Sequence, residues 1–249
     1  MLAGPPVAGA QDLACDGRPP PAVGGADLRS PPNPDVPTSV RAGMFVDDLR
    51  DLDAVTASFR FRGILTISWC DPRLAFDPDE AGIDEKVLVG EAANARIEEI
   101  FFARGFAVNS VEPPQITERV LRLASDGTVS SDLNVSVLLR ANYDLRRFPF
   151  DRQQLQLMVE SFVWNANQLQ FVPDDAMTGF ADNFDIPEWT ITGVRADVST
   201  VEVIRSSEPF SRLTITIDVK RKSGFYLWKV LLPLFIIVAL SWSIFWMVD

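Results

Sequence analysis

The residues with the clearest chemical potential lie in one short stretch, NYDLRRFPFDRQQL, residues 142–155. Its carboxylate, Asp151, follows an aromatic corner made of Phe148, Pro149 and Phe150. Proline stiffens the turn by fixing φ, and each phenylalanine can bury on the order of 150–250 Å² of surface. A carboxylate beside such a desolvated surface needs a cationic partner. The alternative is a surface turn with an exposed Asp151, whose ion pair would contribute only ~0–1 kcal/mol.

The composition excludes most catalytic and metal-binding chemistry. The chain of 249 residues has no histidine, which removes the Ser-His-Asp and Cys-His machineries and the commonest zinc and copper ligand. The acidic groups in FDPDE, residues 76–80, and at Asp174 and Asp175 match no calcium-loop template, so solvated turns are favoured over a Ca²⁺ site. A net charge of −11 argues against nucleic acid as a partner. We expect no enzyme, no cofactor and no metal site.

The two cysteines, Cys15 and Cys70, make neither a disulfide framework nor a zinc site. Cys15 lies in a Pro/Gly/Ala-rich tail over residues 1–35, which we expect to be disordered. Because such a tail offers no fixed partner, two free thiols are favoured, although the sequence leaves the pairing open. The tail also lacks the apolar run of a signal peptide, so an export signal is either missing or not recognisable.

A period of two dominates residues 40–220, within a predicted domain over residues 36–222, and predicts half-buried strands. RLTITIDVK, residues 212–220, and SFRFRGILTISW, residues 58–69, alternate between apolar and polar side chains. Asp126-Gly127 supplies a hairpin turn between such runs. The fold class that follows is mostly β, an immunoglobulin-like antiparallel β-sandwich. Residues 91–106 have mixed periodicity and are expected to hold a helical turn.

An apolar segment follows the strands and predicts one transmembrane α-helix over residues 223–249. The 24 residues from Phe225 to Val248 contain one charge, Lys229. At ~1.5 Å per residue they extend about 36 Å, against a hydrocarbon core of ~30 Å. A buried core helix is the alternative, but so long an apolar run is unusual for one. By the positive-inside rule alone, the basic residues at 220–222 would place the sandwich in the cytoplasm.

Four motifs, in order, resemble the pentameric ligand-gated ion channels, the Cys-loop receptor superfamily. FPFD, residues 148–151, is similar to the core of that family's characteristic loop, and WCDPRL, residues 69–74, to its Trp-x-Asp-x-x-Leu element. EPF, residues 208–210, is similar to the tip of its loop C. The spacing from Phe210 to Pro233 is similar to its last strand, basic pre-membrane segment and first membrane helix. The resemblance implies an extracellular ligand-binding domain followed by that helix.

Several positions depart from the family pattern. Animal members close the loop with a disulfide, whereas the corresponding offsets here carry Ala141 and Leu155, which is similar to the bacterial branch. The family's Trp-x-Pro element should fall near residues 96–98, where neither residue type occurs. The usual aromatic residue on the second strand is replaced by Ile64. The pore-lining helix of the family is absent, so we expect that this chain alone does not conduct.

The resemblance implies a coupling site at one end of the sandwich. Arg221 matches the family's pre-membrane arginine and is expected to pair with Asp151, which would join the loop mechanically to the helix. An acidic hairpin, DDLRDLD at residues 47–53, resembles the family's first hairpin loop, with a solvated loop as the equal alternative. The candidate gating and coupling residues are therefore Phe148, Pro149, Phe150, Asp151, Arg221, Trp69, Asp71 and Asp48.

The resemblance also implies a ligand pocket between neighbouring subunits, under loop C. Aromatic faces can hold a cationic amine with roughly 0.5–2 kcal/mol per ring. Ordinary core aromatics are the alternative, and they are favoured for Phe101 and Phe102. Glu188 and Trp189 are further contributors from a neighbouring loop. The candidate ligand-binding residues are Phe162, Trp164, Phe210, Phe102 and Ile64.

The leading interpretation is the ligand-binding and gating-coupling part of a homopentameric channel for a small molecule, such as an amine, or for protons. Membrane lipid would surround the helix, with the sandwich on the periplasmic or extracellular side of a bacterial inner membrane. The positive-inside rule alone predicts the opposite orientation. Pairing of the basic residues at 220–222 with carboxylates of the sandwich would account for this conflict. The alternative is a single-span, membrane-tethered ligand-binding protein without channel activity. A membrane-anchored hydrolase would lack both histidine and a Gly-x-Ser-x-Gly motif.

Overall fold

The structure is a computed structural model that describes Cys15 and residues 27–181, 186, 188–204 and 206–246. Its strands, in chain order, are β1 (Thr38–Asp53), β2 (Ser58–Cys70), β3 (Glu85–Val89), β4 (Gly105–Ala107), β5 (Gln115–Ala124), β6 (Thr128–Arg140), β7 (Arg152–Ser161), β8 (Leu169–Pro173), β9 (Gly179–Phe180), β10 (Trp189–Val201) and β11 (Phe210–Arg221). Its helices are α1 (Pro78–Ala81), α2 (Glu91–Ile97), α3 (Gly224–Tyr226) and α4 (Leu232–Trp246), with 3₁₀ turns at Pro72–Leu74 and Asp175–Met177.

The strands form two sheets. One has the order β3-β5-β6-β2-β1-β8, with β9 also on β1, and the other has the order β10-β11-β7-β4. The prediction of a mostly β, sandwich-like fold is confirmed. The antiparallel prediction needs a correction at one edge, because β1 runs parallel to β8 and β9. The chain crosses from β7 in the other sheet before β8 begins, so β8 enters its sheet from the same end as β1.

The core follows the predicted alternation along the strands. On β11, Leu213, Ile215, Ile217 and Val219 are all at most 1% exposed. Each such fully buried aliphatic side chain contributes about 1.5–3 kcal/mol relative to an exposed one. The Asp126-Gly127 turn also forms as predicted, and Gly127 has a φ of 91°. A Cβ there would lie 2.8 Å from the carbonyl oxygen of Asp71, so the turn requires glycine.

The sandwich has two ends that matter for function. We call the end that carries Ser58 and Arg221 the base, and the end that carries Cys70 and Phe210 the top. The hydroxyl of Tyr143 donates to the carbonyl oxygen of Ser58 at 2.9 Å, which ties the loop before β7 to the base of β2. Eleven rises of ~3.3 Å along β11 place the two ends about 36 Å apart.

The part of the predicted tail that the structure describes packs against the top. The expectation of free thiols is wrong, because Cys15 forms a disulfide with Cys70. The guanidinium of Arg73 donates to the carbonyl oxygens of Asp27, Leu28 and Ser30 at 3.2, 3.4 and 2.8 Å. These bonds satisfy backbone groups that a disordered chain would leave to water, and they carry the segment over the end of β2. We call residues 27–30 the N-terminal strap.

The helix predicted over residues 223–249 is divided in the structure. A π-helical turn, Leu227–Leu231, separates α3 from α4. Pro233, at the second position of α4, cannot donate a backbone hydrogen bond, which accompanies the change of helix type. Among the helices that the structure describes, none has both the length and the apolarity to cross a membrane. Residues 247–249 of the predicted span lie outside the described residues.

The disulfide should stabilise the sandwich by restricting the unfolded chain. Cys15→Ser is expected to lower the free energy of unfolding by about 2–4 kcal/mol, because the bond closes a loop with a sequence separation of 55 residues. Denaturant unfolding monitored by tryptophan fluorescence measures this difference. Reduction should bring the parent chain to the stability of the variant and leave the variant unchanged. A variant as stable as the oxidised parent would contradict this role.

Candidate functional site

A buried ion pair occupies the base of the sandwich. Asp151 is 2% exposed and Arg221 is 7% exposed. Arg221 Nε donates to Asp151 Oδ1 at 2.7 Å, and Nη2 donates to Oδ2 at 3.1 Å, which makes the contact bidentate. The backbone N–H of Arg221 also donates to the carbonyl oxygen of Asp151 at 3.2 Å. The end of the last strand is therefore fixed, through both side chain and backbone, to the turn formed by residues 148–151, which we call the elbow.

Three aromatic rings surround the guanidinium of Arg221. Its Cζ lies 4.0 Å from the ring centroid of Trp189, 5.1 Å from that of Phe148 and 5.4 Å from that of Tyr226. The Phe148 and Tyr226 rings meet edge to face at 4.8 Å. The hydroxyl of Tyr226 accepts from Arg221 Nη1 at 3.2 Å and donates to Glu188 Oε2 at 2.9 Å. We call Asp151, Arg221 and these four partners the base cluster.

The base cluster joins Arg221, at the end of β11, to three other parts of the chain. The elbow supplies Phe148 and Asp151, the start of β10 supplies Glu188 and Trp189, and α3 supplies Tyr226. The register that pairs Trp189 with Arg221 brings the second part into place. Glu188 and Trp189, which we expected to contribute to the ligand pocket, therefore lie at the base, at the opposite end from Phe162 and Phe210. Their role follows from strand pairing, which a single sequence does not reveal.

A glutamine closes the loop that lacks a disulfide. The side chain of Gln153 accepts from the N–H of Asp144 and donates to the carbonyl oxygen of Asp144, each at 2.9 Å. Its Nε2 also donates to Asp151 Oδ2 at 2.7 Å. Gln153 is 3% exposed, so these bonds are shielded from water. One side chain thus links the two ends of the loop and orients the carboxylate.

The charges in the base cluster stabilise one another. Burial raises the pKa of Asp151, but hydrogen bonds from Arg221 and Gln153 outweigh it, so the pKa lies below its ordinary value of 3.8. Burial lowers the pKa of Arg221, and the hydrogen bond and charge of Asp151 more than reverse this effect. Both partners of the ion pair are therefore charged at neutral pH.

Tyr143 lies near the base cluster without belonging to it. Burial, together with the charge of Asp53, raises the pKa of its hydroxyl to about 12.

The elbow also presents apolar surface outside the sandwich. Phe148 is 50% exposed and Phe150 is 62% exposed, with Leu145 also exposed beside them. The Phe148-Pro149 peptide bond is cis. Arg146 and Arg147 lie on the same loop, and Arg146 contacts Asp144 at the loop surface. This arrangement can dock against a second apolar surface at the base while its inner side stays bound to Arg221.

Three of the proposed coupling residues, Trp69, Asp71 and Asp48, belong neither to the elbow nor to the base cluster. Trp69 and Asp71 lie at the top, where both are 0% exposed. Trp69 packs edge to face against Phe102, and Asp71 holds Arg73 through Nε and Nη2 at 2.8 Å each. They lie at the end of β2, whereas the elbow lies beside its start. Their position makes them supports of the N-terminal strap.

Asp48 lies within a strand and not in a hairpin loop. The stretch predicted as an acidic hairpin forms the end of β1, with irregularities between Val46 and Asp48 and between Arg50 and Asp53. These irregularities allow a polar stretch to continue the strand. The ion pair that the structure records for Asp48 is with Arg50.

The aromatic residues proposed for the ligand pocket all lie at the top, where one is mostly exposed and the others are half-buried or buried. Phe162 is 63% exposed, and its ring packs edge to face against Phe106 at 5.7 Å. Trp164 is half-buried and packs against Phe101. Phe102 and Phe210 are 7% and 4% exposed, which favours the alternative that both belong to the core. Phe162 is the proposed aromatic residue that presents most of its surface to solvent.

An ion pair that the sequence did not indicate lies beside Phe162. Glu160 is 2% exposed and contacts Arg212, whose Nε donates to Glu160 Oε1 at 2.6 Å. Glu160 is the register partner of Phe106 on one side and of Arg212 on the other. Phe106, Glu160 and Arg212 thus form a row across three strands, on the sheet face opposite the core. Only the pairing register shows that these three residues lie side by side. The alternation along β7 indicates by itself that Glu160 occupies an outward position.

Ile64 belongs to a depression on the other sheet. The depression holds about 550 Å³ and is lined by Ile64, Phe45, Asp132, Asn134 and Met177 among others. Phe45 and Met177 are exposed apolar side chains there. Asp132 accepts from Thr66 at 2.8 Å and from Arg122 at 2.5 Å. Ile64 therefore faces away from the core, as the strand alternation predicts, in an exposed and partly apolar surface.

No group of three or more metal-ligating side chains gathers within the part of the chain that the structure describes.

Comparison with known proteins identifies what this chain is similar to. Residues 26–223 match the family model of the neurotransmitter-gated ion-channel ligand binding domain. The chain is 28% identical over 228 residues to a proton-gated ion channel of Gloeobacter violaceus, covering 91% of this chain and 62% of the relative. It is 26% identical over 215 residues to a gamma-aminobutyric acid receptor subunit beta-4 of Gallus gallus, covering 84% and 42%. It is 30% identical over 184 residues to a gamma-aminobutyric acid receptor subunit beta of Caenorhabditis elegans, covering 72% and 32%. The chain thus spans less than two thirds of each of these relatives.

The Asp151–Arg221 pair should be strongly stabilising above acid pH. Asp151→Asn leaves a buried guanidinium without its counter-charge, so we expect the free energy of unfolding at pH 7 to fall by about 3–5 kcal/mol. Because the folded-state pKa of Asp151 lies below its ordinary value, the ionised pair contributes stability above about pH 4 that is lost as pH falls through the folded pKa. The difference between parent and variant, measured by denaturant unfolding, should therefore shrink below pH 4.

Asp218→Asn is the matched control. Asp218 lies three residues before Arg221 on the same strand, and its ion pair with Arg195 is partly exposed on both sides. A surface pair of this kind contributes about 0–1 kcal/mol. Equal losses in the two variants would contradict a special role for the buried pair.

Proposed function

The chain belongs to the family of neurotransmitter-gated ion-channel ligand-binding domains, and from this premise we propose that it senses a ligand and couples binding to a pore. Members of this family are ligand-gated ion channels, in which the ligand-binding domain is extracellular. We propose a homopentamer, with the sandwich outside the membrane and its base towards the channel region. In a bacterium, the sandwich would lie on the periplasmic side of the inner membrane.

The base cluster is the observation that carries this proposal. A movement of the sandwich relative to the segment after β11 must pass through Arg221, because this residue ends the last strand and contacts Tyr226 in α3. Asp151 holds the same guanidinium from the elbow. The exposed rings of Phe148 and Phe150 extend beyond this contact and supply a docking surface for the channel region. Phe148 also contacts Tyr226, so the docking surface and the strand-to-helix junction share one set of contacts.

The ligand site that we propose lies between neighbouring subunits at the top. One subunit would contribute Phe162, Phe106 and the Glu160–Arg212 pair, with loop C around residues 208–210 above them. Its neighbour would contribute the depression around Ile64. The two surfaces lie on different sheets of one chain, so a ring of subunits is the arrangement that can bring them together.

The chemistry of the two surfaces favours an amine as ligand. An amine would meet the ring face of Phe162 and compete with Arg212 for the Glu160 carboxylate. A carboxylate on the same ligand would then pair with the released Arg212. Protons are the second candidate class, because a proton needs no pocket. A membrane-tethered binding protein without a channel would use this ligand site but would have no need of the base cluster.

Assembly and coupling can be tested together. We expect the detergent-solubilised chain to have a mass of five copies of the 27.6 kDa subunit. Joined after Trp246 to the pore-forming part of the Gloeobacter violaceus channel, it should give ligand- or acid-dependent currents. Tyr226→Phe removes only the hydroxyl between Arg221 and Glu188, so it should shift the half-maximal stimulus at least several-fold while leaving the pentamer intact. Planar-bilayer recording measures this shift.

Tyr143→Phe provides a matched control for that variant. It removes a hydroxyl at the same end of the sandwich that bonds to Ser58 and not to Arg221. A monomeric chain would refute the channel proposal. Identical responses from Tyr226→Phe and the parent would refute coupling through the base cluster.

The amine site makes a separate prediction. Phe162→Ala removes an exposed ring and should weaken amine binding at least several-fold, which corresponds to about 1 kcal/mol of cation–π interaction. Titration calorimetry with a panel that includes gamma-aminobutyric acid measures this effect. Val163→Ala, at the neighbouring exposed position, is the control for general damage to the loop. If no amine binds, or if both variants bind as the parent does, the amine proposal is wrong and acid remains as the stimulus to test.

A further inference from the structure

A cavity lies inside the sandwich, apart from the subunit surfaces discussed above. It has a volume of about 310 Å³ and is lined mostly by core side chains, including Ala42, Met44, Leu133, Leu157 and Leu213. This volume is about twice that of the ~150 Å³ apolar cavity that accommodates benzene. Protein interiors are close-packed, with few voids larger than a water molecule. An apolar space of this size is therefore suited to a small hydrophobic guest.

The polar lining of the cavity is confined to three charged residues at its edge. These are Glu98, Arg104 and Arg119. Glu98, Phe102 and Arg104 also line an adjoining surface depression, which is completed by Trp164 and by Arg29 of the N-terminal strap. The bonds from Arg73 hold the strap in this place. We call Glu98, Arg29, Arg104 and Arg119 the mouth of the cavity.

The mouth has more positive than negative charge. Its one carboxylate, Glu98, contacts Arg104 Nη2 at 2.7 Å. This contact lowers the pKa of Glu98, and the charges of Arg29 and Arg119 add smaller effects of the same sign. Burial lowers the pKa of Arg119, and the charge of Arg104 lowers it further. Three guanidinium groups thus share one carboxylate, which leaves the mouth favourable for an anion.

One donor at the mouth lacks an acceptor. Arg119 Nη1 donates to Asn94 Oδ1 at 2.8 Å, but Arg119 Nε is buried and has no hydrogen-bond partner among the described residues. A buried donor on a charged group is costly to leave unpaired, and such groups call for an explanation. The Cζ of Arg119 also lies 5.7 Å from the ring of Phe102, at the apolar side of the mouth. A carboxylate at this point would supply the missing acceptor and extend its carbon chain inward.

We propose that the space between the sheets is a binding site for an aliphatic monocarboxylate, whose hydrocarbon part fills the cavity and whose carboxylate binds Arg119. The site lies within one subunit, so it requires neither the pentamer nor the amine site. The observations that support it are the volume, the apolar lining, the excess of guanidinium groups at the mouth and the unpaired Nε. Neutral and cationic molecules of similar shape would fit the volume and the apolar lining, but they would not pair with the guanidinium groups or with the unpaired Nε.

Octanoate is the probe for this site, and titration calorimetry of the full chain is the measurement. We expect saturable binding of one octanoate per chain, with 1-octanol and octylamine each at least about 10-fold weaker, as the loss of a charge-assisted hydrogen bond predicts. Arg119→Gln should weaken octanoate binding by a similar factor. Ala42→Leu should reduce it as well, because Ala42 is 0% exposed and a larger side chain there enters the cavity.

Arg62→Gln is the matched control for loss of charge, since Arg62 is exposed on the outer face of β2. Phe162→Ala should leave octanoate binding unchanged, which separates this inference from the amine site. Circular dichroism and thermal unfolding identify any variant that fails to fold. If Ala42→Leu fails to fold, the binding measured for Arg119→Gln decides the test. The proposal is overturned if octanoate does not saturate, if 1-octanol binds as tightly, or if Arg119→Gln binds as well as the parent.

Discussion

The contact on which the base of this molecule depends is the bidentate ion pair between Asp151 and Arg221. A buried guanidinium is tolerated only when charge and hydrogen-bond acceptors surround it. Here the carboxylate, three ring faces and the hydroxyl of Tyr226 meet that need. Because these partners come from three parts of the chain, satisfying one charge fixes the elbow, the start of β10 and the segment after β11 relative to one another. Displacing any one part would leave the buried guanidinium of Arg221 without some of the acceptors and ring contacts that stabilise its charge.

The two ends of the sandwich solve the same physical problem with different partners. At the top, Asp71 orients Arg73, whose guanidinium binds backbone carbonyls of the N-terminal strap. At the base, Asp151 orients Arg221, whose guanidinium binds rings and a hydroxyl. The first arrangement holds a segment without regular structure, and the second holds a junction between a strand and a helix. Each end thus has an arginine that is itself held in place by a buried carboxylate.

The sequence was sufficient for the features that depend on local pattern. Alternation along β2, β7 and β11 predicted the core positions, the Asp126-Gly127 turn formed, and α2 lies within the segment expected to hold a helical turn. The resemblance also predicted that Asp151 of the elbow pairs with Arg221. The contact forms in the structure, but its role in gating stays a prediction.

Features that depend on pairing between distant segments were missed. Trp189 and Glu188 reach Arg221 only through the register of β10 with β11, and Glu160 reaches Arg212 only through that of β7 with β11. The disulfide was not expected, because the composition of the tail does not show which residues of the sandwich it contacts. It also gives no sign that Arg73 would bind the backbone of the tail. Trp69 and Asp71 were grouped with the elbow but lie at the top, because a motif gives residue types and spacing and not the distances between motifs; their role in coupling stays a prediction.

The bond between Cys15 and Cys70 also changes the covalent connectivity of the first part of the chain. Residues 15–70 form a closed ring that contains β1 and β2, so a single peptide-bond cleavage before β1 would not release the fragment that carries Cys15. The two pieces would still migrate as one species until a reducing agent separated them. A single cut between the strap and β1 would therefore leave the strap attached to the sandwich through this bond, and reduction would be needed to release it.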